Sequence, residues 1–164
     1  MALPPPRVAR VARLAMAALV VAVVAGGAYR ARRNLALHKP VRMSSVLLGS
    51  PEGAVNGFVE WGSYAVHSRG GGPAWLLVDL EGTFPLGEVR VFGRGDGYHT
   101  DSPSPITVEL SGDGLTFTRA AVCDRVVTQV SPCAAKLGGA PARYVRLTHP
   151  THLVLSEVEV LGAR

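Results

Sequence analysis

From Asn34 onward this 164-residue sequence predicts an all-β fold, a sandwich or barrel of short strands. Three observations carry the prediction. No stretch after Asn34 keeps an apolar residue every three to four positions for long enough to make a helix. Short runs alternate apolar and polar residues instead, and turn formers separate them. Glycine (19) and proline (12) are plentiful, which favours many turns over long helices. An apolar share of 48% excludes wholesale disorder. The body of about 130 residues is enough for one core.

The strands are taken in chain order. Residues 75–80 (WLLVDL) read as a strand that stops at a turn over 81–83. Residues 86–92 come next, with Val89 and Val91 on one face and Glu88 and Arg90 on the other. Ile106, Val108 and Leu110 alternate with Thr107 and Glu109. The Ser-Gly-Asp-Gly run 111–114 has hairpin-turn chemistry and leads into a strand over 115–122. Residues 144–147 and 153–160 supply two more strands, and the glycine run at 70–72 reads as a loop. Such strands without intervening helices predict a sandwich or barrel.

The formal charge of +5 does not belong to this body. Residues 1–33 carry six arginines and no acid, while residues 34–164 hold eleven Lys/Arg against all twelve Asp/Glu. A nucleic-acid partner held by bulk charge is therefore not expected. Residues 14–29 contain no charge and are flanked by Arg13 and Arg30. This N-terminal apolar helix reads as an uncleaved membrane anchor, because Arg30, Arg32 and Arg33 just past the apolar run argue against cleavage, while arginines on both sides do not set its orientation. The alternative is a signal peptide cut near the small residues 25–28, which would release a secreted domain. The expected arrangement is a 1–33 anchor and a 34–164 domain in a single-pass protein. The domain would lie outside the cytoplasm, in a periplasm or at a cell surface.

Cys123 and Cys133 bracket a loop that a disulfide could close, adding roughly 2–3 kcal/mol in the chain-entropy view. A disulfide suits an exported domain, and two buried thiols are the alternative. His38, His67, His99, His149 and His152 show no metal-ligand spacing, and His149 and His152 are expected to face solvent in a proline-containing loop. No nucleophile elbow and no phosphate loop is present, so the chain does not read as an enzyme.

A set of short runs occurs in order along the body: 34–40 (NLALHKP), Ser44 and Ser45, 54–57 (AVNG), 73–80 (PAWLLVDL), 89–94 (VRVFGR), 108–114 (VELSGDG), Phe117, 142–146 (ARYVR) and 155–160 (LSEVEV). On these residues the body resembles the discoidin family, also known as the coagulation factor V/VIII type C domains. The resemblance implies a galactose-binding-like jelly-roll sandwich. It also implies a non-catalytic binding role, with carbohydrate as ligand or, alternatively, protein–protein adhesion.

Within that family the chain is similar in part to the F-type, fucose-binding lectins. Their pattern of a His followed by Arg-Gly-Asp matches His67 and Arg94 to Asp96, 27 positions on. Their paired cysteines are replaced by Gly97 and Tyr98, and no second arginine occurs near Asp101. The ligand residues implied are His67, Arg94, Asp96, Tyr98 and Trp61, in loops that also carry Phe58 and Tyr64. A plainer reading pairs Arg94 with Asp96 at a strand end and plugs the bottom of the sandwich with Trp61. The likeness further implies a structural Ca²⁺ held by Asn56, Glu157 and Ser63 or Glu60, with backbone oxygens from Gly53, Phe58 and Ser156. The alternative has Asn56 capping a turn and Glu157 facing solvent.

Overall fold

The computed structural model describes residues 34–98 and 104–163. Its strands are β1 (Val41–Met43), β2 (Leu48–Gly49), β3 (Val66–His67), β4 (Ala74–Gly93), β5 (Ile106–Ser111), β6 (Thr118–Cys123), β7 (Cys133–His149) and β8 (Val154–Gly162). The only other element among the described residues is a short 3-10 turn, Pro51–Val55. All pairings among these strands are antiparallel. The all-β expectation holds for the described residues. The predicted N-terminal helix falls within 1–33, outside them, and no helix among the described residues is long and apolar enough to cross a membrane.

The two long strands serve two half-sheets. The first part of β4 lies between β1 and β7, with Val78 opposite Val41 and Val145. Its second part lies between β7 and β8, with Val89 opposite Ala135 and Val160. The order is β2-β3-β8-β4-β7-β5-β6, with β1 joined to β4. Leu76, Val78, Val108 and Leu147 from one half share a buried core with Val89, Val91, Val158 and Val160 from the other. Alternation explains this, since every second residue of a strand points to the same face.

Three strand expectations need correction. The turn predicted at 81–83 is a bend inside β4, not an end. Glu81 takes a positive φ of 61° and donates its N–H to Asp79 Oδ1 at 2.8 Å, so the chain swerves and resumes pairing at Phe84. The sixth strand starts at Thr118, not at 115. Asp113 Oδ1 accepts the N–H groups of Leu115 (2.8 Å) and Thr116 (2.9 Å), and those amides are lost to any ladder. The same donors hold the Asp113 carboxyl down to about 2. The seventh strand begins at Cys133, far ahead of the predicted 144. Its first part (CAAKLGGAPA) is small and glycine-rich, with no strand signal of its own, and it pairs because β4 lies beside it.

Both ends of β8 are specialised. At its C-terminal end, Asn34 Oδ1 accepts the N–H groups of Ala36 (3.1 Å) and Val160 (3.0 Å), which clamps the start of the domain to its last strand. At its N-terminal end, Phe92 faces Glu157 but Gly93 faces Leu155. Ser156 is the extra residue of a β-bulge, a device that re-aims a side chain.

Candidate functional site

Arg94 comes directly after β4. Its Nε and Nη2 donate to Asp96 Oδ1 and Oδ2, each at 2.7 Å, and the guanidinium holds the Asp96 carboxyl below its ordinary range. Arg94 is only 6% exposed. Its Cζ lies 5.2 Å from the ring centres of both Tyr64 and Tyr98. The strand-end pair with Asp96 is therefore present, and it fixes a guanidinium against two aromatic rings.

Glycines let the chain pass close here. A Cβ on Gly93 would lie 2.0 Å from Val127 O, and one on Gly95 would lie 1.8 Å from Gln129 Oε1. The loop that packs there runs between Cys123 and Cys133, which form the expected disulfide with Cα atoms 5.9 Å apart.

His67 comes from β3, where it pairs with Val154 of β8. The Tyr64 ring meets the His67 ring edge-on at 5.7 Å, so Tyr64 bridges His67 and Arg94. His152 lies 5.9 Å from His67 between ring centres, and His149 lies 5.6 Å from His152. The structure thus brings together His67, Arg94, Asp96 and Tyr98, and adds Tyr64 and His152. Trp61 stands out from the neighbouring loop, 72% exposed, and is no plug for the sandwich. Phe58 is equally prominent at 70%.

His149 does not face solvent as expected. It is buried, and burial pushes it below its ordinary value of 6.5. Its Nδ1 accepts the N–H groups of Thr151 and His152, both at 3.2 Å, which requires that nitrogen to be unprotonated. A histidine with a lowered folded pKa binds protons more readily when unfolded. Its contribution is therefore complete above 6.5 and is lost as pH falls through the lower folded value. The melting temperature of the wild type should drop more steeply below pH 6.5 than that of His149→Gln; parallel pH profiles would refute the assignment.

The residues expected around calcium also converge. Glu157 is buried, at 1% exposure, and its Oε1 accepts the Gly57 N–H at 3.2 Å. Asn56 Oδ1 accepts the Phe58 N–H at 2.7 Å, an Asx turn. Ser63 contributes its backbone oxygen, which accepts the Gly95 N–H at 2.9 Å and ties this loop to the Arg94 segment. The bulged Ser156 turns its Oγ toward the loop and accepts the Glu60 N–H at 2.7 Å.

At the centre of this loop lies a residue that sequence reasoning missed. Gln129 Nε2 donates to Glu60 O, to Ser63 O (3.0 Å) and to Ser156 Oγ (3.2 Å), while its Oε1 accepts the Gly62 N–H (3.1 Å). Its partners lie 27 to 69 positions away, a separation that no local pattern encodes. Among the described residues, no group of three or more His, Cys, Asp or Glu side chains could hold a metal ion.

No family model matches the sequence, and no curated protein matches it either. Solved structures do. The lectin domain of lectinolysin, complexed with Lewis B antigen, is 28% identical with a TM-score of 0.69, covering 80% of this chain and 97% of that one. A fucose-binding module from Streptococcus pneumoniae is also 28% identical, with a TM-score of 0.68 over 79% of this chain and 95% of that one. A fucolectin from striped bass serum shares the fold, at 23% identity and a TM-score of 0.68, over 80% of this chain and 47% of that one. The chain has the fold of the discoidin-type, galactose-binding-like modules, and it resembles the F-type lectins among them.

Proposed function

We propose that this domain is a non-catalytic, lectin-like module that binds a carbohydrate, with a fucosylated glycan as the first candidate. The observation that carries the reading is the fixed Arg94–Asp96 pair between Tyr64 and Tyr98, with His67 alongside. A sugar offers adjacent hydroxyls and an apolar ring face. The paired guanidinium and carboxylate, with the His67 ring, supply donors and acceptors for the hydroxyls. Tyr98, 65% exposed, supplies a stacking face for the ring. The site carries both signs of charge, so it suits a neutral ligand better than an ionic one.

Two similar structures support the choice of glycan, since their names state Lewis B antigen and fucose binding. Binding without turnover fits the same geometry, because the Asp96 carboxylate is engaged by Arg94 and is not poised as an acid or base. The 1–33 segment would tether the domain to a membrane with the lectin face outside the cytoplasm. Protease protection of the tagged full-length chain in intact cells tests that placement.

Glycan-array binding and then calorimetric titration test the function. The expected result is binding of fucosylated structures, competed by free fucose, with no release of sugar over time. Silence across the array together with a specific protein partner would replace this reading with adhesion.

A further inference from the structure

A calcium ion needs six to eight oxygen ligands, several of them charged. Among the side chains expected around it, only Glu157 is both charged and buried, since Glu60 is exposed and Asn56 and Ser63 are neutral. Two of the side-chain oxygens expected to ligate already accept an N–H, as do three other oxygens of the same loop and of β8. Asn56 Oδ1 takes that of Phe58, and Glu157 Oε1 takes that of Gly57. Glu60 O takes that of Ser63, Ser63 O that of Gly95, and Ser156 Oγ that of Glu60. The last three oxygens share one further donor, the side-chain amide nitrogen of Gln129.

We propose that the Gln129 amide takes the place of a cation in this fold and holds the glycan loop without calcium. A cation gathers oxygens by its charge. The two amide hydrogens of Gln129 gather the same kind of group, two backbone carbonyls and a hydroxyl, from both the 60–63 loop and β8. A side-chain amide brings a fixed geometry, and the Asn at 56 presents no charge that a cation would be needed to neutralise. The carbonyl end of the amide completes the lock by accepting the Gly62 N–H. Gln129 is itself 5% exposed, and its fit depends on the absent side chain of Gly95.

The consequence reaches the ligand face. Ser63 O joins Gly95 N beside Arg94, and Tyr64 is the next residue. Gln129 is thus a positioning residue for Tyr64 and, through Gly95, for Arg94. Only the glycan arm of the test rests on the proposed function.

The test uses the full-length chain, with calcium chloride and EDTA as probes. The melting temperature of the wild type should be the same in excess EDTA and in millimolar calcium. Gln129→Ala should melt about 5 °C lower or more in both conditions. It should also bind glycan roughly tenfold more weakly, in keeping with the loss of a buried hydrogen-bond hub. Gln129→Glu, which keeps the shape but cannot donate, should lose at least as much as Gln129→Ala in EDTA. Where Gln129→Ala fails to fold, Gly95→Ala serves in its place, because the new methyl expels the Gln129 side chain. A wild-type melting temperature that falls in EDTA and returns with calcium would overturn the proposal, as would Gln129→Ala melting with the wild type. Absence of any glycan binding alongside calcium-independent melting would refute the function and leave this inference standing.

Discussion

Arg94→Ala should weaken glycan binding by at least about a hundredfold, equivalent to roughly 3 kcal/mol. The residue supplies the guanidinium that fixes Asp96 and lies against the rings of Tyr64 and Tyr98. Alanine removes all three contacts together and frees Asp96 to rotate. Hydrogen bonds to charged groups contribute about 1.5–3 kcal/mol each, so the loss of two or more accounts for the size of the effect. Arg94→Lys should recover little, since an ammonium cannot reproduce a planar two-point pairing. Calorimetric titration with the best array glycan is the measurement, and affinity within threefold of wild type would remove Arg94 from the site.

The second large effect concerns the core. Leu147→Ala should destabilise the domain by about 2–5 kcal/mol, the range for leucine truncation in a packed interior. Leu147 is fully buried, between Leu76 of β4 and Val108 of β5 in the central ladder. Strands on both sides hold the backbone in place, so the cavity cannot close easily. Domains of this kind have about 5–15 kcal/mol in all, so the variant should unfold at a much lower urea concentration. A loss below about 1 kcal/mol would mean that neighbouring side chains refill the space.

What can be read from the sequence divides along physical lines. Half-buried strands announce themselves by alternation, and 75–80, 86–92 and 106–110 all lie in observed strands. The disulfide can be anticipated because it closes a short loop. The His67 and Arg94 neighbourhood is legible through resemblance. Other features have no local signal. β2 and β3 are two residues long and exist only through their partners. The first part of β7 is a strand by virtue of β4. Glu157 lies on an alternating strand, where the pattern points it to solvent, but the 56–60 loop covers it. His149 escapes for the same reason, since neighbouring proline and threonine suggest an exposed turn. Gln129 is invisible because polar hubs are made by topology and not by composition.

The course of β8 has a mechanical consequence. Its N-terminal end pairs with His67 and Gly93, beside the ligand residues, and its C-terminal end is clamped to Asn34, where the preceding chain joins. On the proposed function, ligand and tether would lie beside opposite ends of one strand, about 20 Å apart at 3.3 Å per residue. Tension between a held glycan and the tether would run along that strand. The hydrogen bonds to β3 and β4 lie across the direction of pull and share the load in shear, instead of breaking one after another. With the proposed tether in place, such a domain would be suited to holding on under traction.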